Sequence, residues 1–126
     1  MQAPSSHAAD ASHAESLADA LLRQADAIGA MADAVAKART VLEYQNDRRK
    51  MALAIAFKEA RLMGATSATE AEHYARASDS YAATMQALEV QSYECERITQ
   101  KHGAAQAKFD ALRSLVSLEK SKIGIL

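Results

Sequence analysis

An apolar or near-apolar residue recurs at every seventh position across the second half of the chain. A seven-residue repeat of this length is typical of a helix that keeps one seam against a partner helix through left-handed supercoiling. The repeat therefore predicts a coiled coil. Its members are Tyr74, Tyr81, Leu88, Cys95, His102, Phe109, Val116 and Ile123.

The composition predicts an all-α fold with a thin core. Hydrophobic residues make up 49% of the chain but aromatic residues only 5%, and much of the apolar fraction is alanine. Alanine has the highest helix propensity and little surface to bury. Four glycines and one proline leave little turn chemistry for a β-rich fold.

The length of 126 residues suits one domain, for which the sequence predicts a long antiparallel two-helix hairpin. Residues 1–12 are expected to be a flexible tail and residues 13–126 the helical-hairpin domain. Helix one is expected over about 13–63 and helix two over about 69–120. The turn at 64–68 contains Gly64, which suits the left-handed position after a helix. Ser67 with Glu70, and Thr69 with Glu72, fit the capping-box pattern.

Charge supports the same hairpin independently. The acidic block in residues 1–36 would face the basic block in 101–126, and the basic block in 37–61 would face the acidic block in 70–96. Each exposed pair contributes only about 0.3–0.5 kcal/mol, but many like-charge contacts disfavour other registers. Gly29 and Gly103 would lie at one level, as a hinge or as a site of close helix approach. Whether the helices pair within one chain or are swapped between chains stays open.

A two-helix hairpin with an alanine-rich stripe buries little surface, so we expect a homo-oligomer. Helix one carries its own stripe through Leu17, Leu21, Ile28, Val35 and Leu42. Further apolar residues lie off the stripes and are candidates for a protein interface. They are Met51, Ile55, Phe57, Met85, Leu115 and Leu118.

The sequence contains no nucleophile motif, phosphate-binding glycine loop or repeated metal-ligand spacing, so we expect no enzyme activity, catalytic residue, cofactor, metal or small-molecule substrate. Cys95 lies on the heptad stripe and is interpreted as a small buried hydrophobe. No signal peptide or membrane-spanning stretch is recognisable, which favours a cytoplasmic protein.

Clusters of basic residues are the features most able to bind phosphates, although the net charge of −1 excludes a uniformly basic protein. Alternatively, these residues are solvated and pair with the acidic blocks. Tyr74, Tyr81 and Phe109 are expected in the seam, which leaves Tyr44 and Tyr93 for base stacking. The candidates for nucleic-acid binding are Arg48, Arg49, Lys50, Lys58, Arg61, Lys101, Lys108, Arg113, Lys120 and Lys122.

About two thirds of the chain, from Thr40 to Ile123, resembles the small helical recombination and replication accessory proteins of bacteriophages, broadly similar to the recombination mediator of T-even phages. The resemblance is carried by Leu42-x-Tyr44, the basic and apolar helix from Arg48 to Leu53, the break at Gly64 and the closing segment from Phe109 to Lys120. It implies self-assembly, binding of single-stranded DNA in a bacterial cytoplasm, and cooperation with a recombinase or a single-strand-binding protein. The acidic first arm departs from this pattern.

A second hypothesis is a protein-binding coiled-coil adaptor, chaperone or inhibitor, such as a secretion-type hairpin or a phage protein that docks on a host protein. In this case Met51, Ile55, Phe57 and Met85 would form a groove for a partner helix.

Overall fold

The computed structural model describes residues 6–124, which contain four helices and no strand. The prediction of an all-α fold is confirmed. The helices are α1 (Ser6–Glu43), α2 (Gln45–Leu62), α3 (Ala68–Ala77) and α4 (Asp79–Lys122).

The first helix begins earlier than the sequence pattern predicts. α1 starts at Ser6, within the segment expected to be a flexible tail, and residues 1–5 of that tail lie outside the described residues. Alanine is frequent in residues 6–14, and its helix propensity explains a helix that lacks apolar periodicity. The predicted boundary at residue 13 relied on that periodicity and is therefore wrong.

The predicted helix one is interrupted at a single residue, Tyr44, between α1 and α2. Its backbone N–H still donates to Thr40 O at 3.3 Å, and its carbonyl accepts from Arg48 N at 3.1 Å. The interruption therefore leaves hydrogen bonding across the junction largely intact. α2 then ends at Leu62, one residue before the predicted end.

The turn after α2 follows the predicted chemistry of Gly64. This glycine has φ +111, a value that side-chain-bearing residues rarely adopt. Gly64 N donates to Arg61 O at 3.2 Å and Ala65 N donates to Ala60 O at 3.1 Å. This pair of bonds is the Schellman arrangement, which satisfies carbonyls at the helix end.

Only one of the two predicted capping boxes is present, and only in part. Ser67 Oγ accepts from Glu70 N at 3.1 Å, which caps α3, while Glu70 Oε2 accepts from Thr66 Oγ at 2.9 Å. Glu72 instead pairs with Arg76 at 3.1 Å on the same helix. The predicted box of Thr69 with Glu72 is therefore wrong, because the carboxylate has a basic neighbour one turn away.

The predicted helix two is divided at Ser78, which has extended backbone with ψ 143. Its Oγ donates to Ala75 O at 2.9 Å and accepts from Tyr81 N at 3.2 Å, so one hydroxyl serves the end of α3 and the start of α4. The prediction of one continuous helix over 69–120 is wrong here. Serine followed by aspartate is a helix-start pattern, and it could have revealed the break.

The described chain forms two compact units, where the sequence predicts a single domain. One unit consists of Met1–Val35 with Gln100–Leu126, and the other of Ala36–Thr99. In the first, Gln24 Nε2 donates to Ala105 O at 3.0 Å. In the second, Gln45 Nε2 donates to Leu88 O at 3.0 Å, and α2 packs against α3.

Buried residues follow the predicted seams. On α4, Cys95 and Val116 are buried, as is Ile123 just beyond its end, and His102 and Phe109 are half-buried. On α1, Val35 is buried and the rest of the stripe is half-buried. Tyr74 is the exception, at 57% exposure. Its assignment to the seam is wrong because it lies on α3, beyond the break at Ser78.

Gly29 and Gly103 both lie inside helices. A Cβ built on either glycine meets no atom within 4 Å. Close helix approach therefore does not require a glycine at either position.

Candidate nucleic-acid interface

The basic residues of α2 are the most concentrated positive charge among the predicted site residues. Arg48, Lys50, Lys58 and Arg61 are exposed and Arg49 is half-buried. All five lie on one helix within one compact unit. Five cations within four turns of helix concentrate positive charge on α2, which favours phosphate binding.

None of these five side chains forms an ion pair within the described part of the chain. Arg48 Nη1 donates to the neutral amide oxygen of Gln91 on α4 at 2.9 Å. The Arg61 guanidinium lies over the Phe57 ring at 5.6 Å. Both arginines are thus oriented by neutral partners and keep their charge available to a ligand.

Four acidic residues of α3 and α4 form ion pairs with basic residues on their own helices. The predicted pairing between oppositely charged helices relied on block composition, whereas exposed side chains pair most easily with residues one turn away. Four such ion pairs are Arg76–Glu72, Arg97–Glu94, Arg113–Asp110 and Lys122–Glu119.

The C-terminal candidates fall in the other compact unit and differ from one another. Lys101 and Lys108 are exposed and form no ion pair with a described residue. Arg113 pairs with Asp110 at 3.7 Å, and Lys122 pairs with the buried Glu119 at 3.1 Å, while Lys120 is half-buried. Lys101 and Lys108 are therefore available to bind phosphate, whereas the other three C-terminal candidates are ion-paired or half-buried.

Exposed aromatic rings near the basic helix are few. Tyr44 and Tyr93 are 50% and 61% exposed, in agreement with their interpretation as available rings, and Tyr74 is also exposed, at 57%. The Arg97 guanidinium lies 6.0 Å from the Tyr93 ring, which occupies part of that surface. Tyr81 and Phe109 are half-buried, so base stacking would be limited to a small number of positions.

The predicted protein-interface residues divide between the two compact units and differ in exposure. Met51 and Ile55 on α2 are 64% and 55% exposed, whereas Phe57 and Met85 are half-buried. Leu115 and Leu118 are exposed but belong to the other unit. The four-residue groove expected from the sequence is therefore not present on one face.

Leu62 lies on the same helical face as Met51 and Ile55 and is 80% exposed. Spacings of four and seven residues place these three side chains in line. This spacing can be read from the sequence, but the longer seven-residue repeat that begins at Tyr74 is the more prominent pattern.

A cavity of about 540 Å³ lies where α2, α3 and α4 meet. Glu59, Glu70 and Asp79 are among its lining residues, so its charge disfavours phosphate. Ser80 Oγ donates to Glu59 Oε2 at 3.5 Å, and Glu70 is engaged with Thr66. No group of three metal-ligating side chains suited to an ion occurs among the described residues.

Comparison with protein-family models, with curated proteins and with solved structures gives no match. No helix in the described part of the chain has the length and apolar character needed to cross a membrane.

Proposed function

We propose that this protein is a non-catalytic, cytoplasmic DNA-recombination or replication accessory protein of phage type, which binds single-stranded DNA without sequence preference. The proposal assigns the contact to the basic side chains of α2, with Lys101 and Lys108 as secondary contacts. The protein would act as a self-associating antiparallel hairpin that assists a recombinase or displaces a single-strand-binding protein.

One observation carries the proposal: the basic side chains of α2 form no ion pairs with described residues, although an acidic block is present in α3 and α4. Cations already neutralised by carboxylates would release few counterions from DNA. Unpaired lysine and arginine side chains neutralise phosphates and release the ions condensed on them. The expected binding is therefore electrostatic and weakens as salt rises.

Two hydrogen bonds support the hairpin. Gln24 reaches the carbonyl of Ala105 in one unit, and Gln45 reaches the carbonyl of Leu88 in the other. Gln24, which comes before Gln45, contacts Ala105, which comes after Leu88. This reversed order is what an antiparallel arrangement of the early helices with α4 requires. Helical hairpins that present cations on α2 provide a surface rather than an enclosed substrate pocket.

The test is a titration of a fluorescent oligothymidylate with the full chain, measured by anisotropy at several salt concentrations. The wild-type protein should bind, and the logarithm of its association constant should fall linearly with the logarithm of salt concentration. The double variant Lys50→Gln/Lys58→Gln should lower the steepness of this dependence by about 1.4, since each single-strand phosphate contact contributes about 0.7.

A matched control removes two cations that already have ion-pair partners in the same unit. Arg76→Gln/Arg97→Gln changes net charge by the same amount, but these residues pair with Glu72 and Glu94. The control should change the salt dependence by much less than the lysine double variant. Equal losses would show that net charge alone acts, and absence of binding by folded wild-type protein at low salt would contradict the proposal.

The exposed Met51 and Ile55 favour a second candidate function, binding of a helix from another protein as a coiled-coil adaptor, chaperone or inhibitor. Capture of a specific protein that persists after nuclease treatment would support this function. Capture that is lost on nuclease treatment would instead support DNA binding.

A further inference from the structure

The cavity where α2, α3 and α4 meet combines apolar side chains with an aromatic ring. Ala56 and Ala60 of α2 are buried and line it, and Tyr74 of α3 lines it while remaining 57% exposed. The volume of about 540 Å³ lies within the range of cavities that bind small molecules, roughly 300–1,000 Å³. All of the lining residues belong to the compact unit Ala36–Thr99.

The same lining carries negative charge without a compensating cation. Glu59, Glu70 and Asp79 come from three different helices, and none of the described lining residues is a lysine or an arginine. No ion pair joins these three carboxylates to a described residue. Glu59 accepts from Ser80 Oγ at 3.5 Å and Glu70 accepts from Thr66 Oγ at 2.9 Å, so their partners are neutral hydroxyls. The cavity is therefore electrostatically complementary to a cation.

The arrangement of the carboxylates disfavours a bare metal ion as that cation. A divalent ion requires several oxygen ligands at about 2.0–2.6 Å. No three metal-ligating side chains in the described part of the chain are grouped closely enough to hold one. An elongated cation with separate ammonium groups can instead reach carboxylates that lie on different helices. Its methylene groups can cover alanine side chains, and an ammonium group near the Tyr74 ring gains a cation–π interaction.

We infer that this cavity binds a linear aliphatic polyamine. The ammonium groups of the ligand lie beside Glu59, Glu70 and Asp79, and its methylene groups pack against the alanines of the lining. This binding site goes beyond the proposed function and does not depend on it. The basic side chains of α2 that are assigned to DNA do not line the cavity.

Exposure of the lining determines how such binding depends on salt. Glu59 and Asp79 are exposed, so dissolved ions screen their attraction for an ammonium group, whereas Glu70 is half-buried and less screened. The affinity should therefore fall as salt rises. The apolar contacts with Ala56, Ala60 and Tyr74 are not screened and should retain part of the binding.

The test is equilibrium dialysis of the full chain against radiolabelled spermidine at low salt, without DNA. Glu59→Gln/Asp79→Asn removes two of the three charges and should weaken binding by at least about tenfold, a loss of about 1.4 kcal/mol. The matched control is Glu89→Gln/Glu96→Gln, which changes the net charge equally. Both control residues are exposed on α4 in the same unit and lie outside the cavity. The control should leave the affinity nearly unchanged.

A second variant tests the cavity itself without changing charge. Ala77 is an exposed residue of the lining, so the larger side chain of Ala77→Leu occupies space that the ligand needs. This variant should weaken spermidine binding several-fold. Ala83→Leu, at an exposed position of α4 outside the cavity, should not. Circular dichroism checks that every variant is folded.

Four results would overturn the inference. Equal weakening by the two carboxylate double variants would show that spermidine responds to net charge alone. An unchanged affinity in Ala77→Leu would place the ligand outside the cavity. Displacement of bound spermidine by an equal concentration of Mg²⁺ would show that the site does not select an elongated cation. Absence of spermidine binding by folded wild-type protein at low salt would exclude the site, while the proposed DNA binding would stand.

Discussion

At the residue scale, two glutamines connect early and late helices in the same way but differ in burial. Gln24 and Gln45 each donate from Nε2 to a backbone carbonyl of α4 at 3.0 Å. Gln24 is half-buried, whereas Gln45 is 7% exposed and its Oε1 accepts no hydrogen bond from the described residues. A buried acceptor without a donor costs about 1–3 kcal/mol, which offsets the bond that Nε2 makes.

This difference predicts opposite effects of the same substitution. Gln45→Met keeps the side-chain volume and removes the unsatisfied oxygen, so the free energy of unfolding should rise by about 1 kcal/mol. Gln24→Met loses a hydrogen bond without removing a buried, unsatisfied oxygen. It should therefore be neutral or destabilising by up to about 1 kcal/mol. Urea unfolding followed by circular dichroism compares the two variants. A Gln45→Met variant less stable than Gln24→Met would contradict this interpretation.

At the element scale, the sequence contains most of the information needed to place the helices. The seven-residue repeat identifies the buried face of α4, including Cys95 and Val116. It does so because apolar residues repeat along the face of a helix that packs against its neighbours. The same repeat hides the break at Ser78, since the apolar spacing from Tyr74 to Tyr81 continues across it. A hydroxyl that caps two helices leaves no trace in periodicity.

Ser78 should therefore be more important than an ordinary helical serine. Its Oγ makes bonds of 2.9 Å and 3.2 Å that join the end of α3 to the start of α4. Ser78→Ala should lower the free energy of unfolding by about 1 kcal/mol, as expected for loss of an N-cap. Ser114→Ala, at an exposed position inside α4, serves as the control and should be neutral or slightly stabilising. Thermal unfolding of the two variants checks this, and equal stabilities would argue against the capping role.

The candidate site could be predicted only in part. The basic residues of α2 are evident in the sequence. Whether they are free to bind phosphate depends on which carboxylates lie near them in space. Block charges predict pairing between helices, whereas Glu72 and Glu94 pair within their own helices. The exposed apolar stripe of Met51, Ile55 and Leu62 was missed as a unit because its exposure depends on which face of α2 packs against neighbouring helices.

At the scale of the whole molecule, the proposed antiparallel hairpin requires the last helix to return along the first. The contact of Gln24 with Ala105 supports this arrangement within one unit. A hairpin leaves the outer faces of its helices available, which the proposed DNA contact requires. A single extended helical rod would remove the basis for this assignment.

The most direct test is the distance between spin labels at Asp26 and Ala104, two exposed positions in the same unit, after replacement of each by cysteine and of Cys95 by alanine. Dilution with unlabelled protein separates distances within a chain from distances between chains. Because packed helix axes lie about 8–10 Å apart, the account predicts a short distance that persists on dilution. A continuous rod would separate these positions by about 117 Å. A long distance within the chain, or a short one that disappears on dilution, would contradict the account.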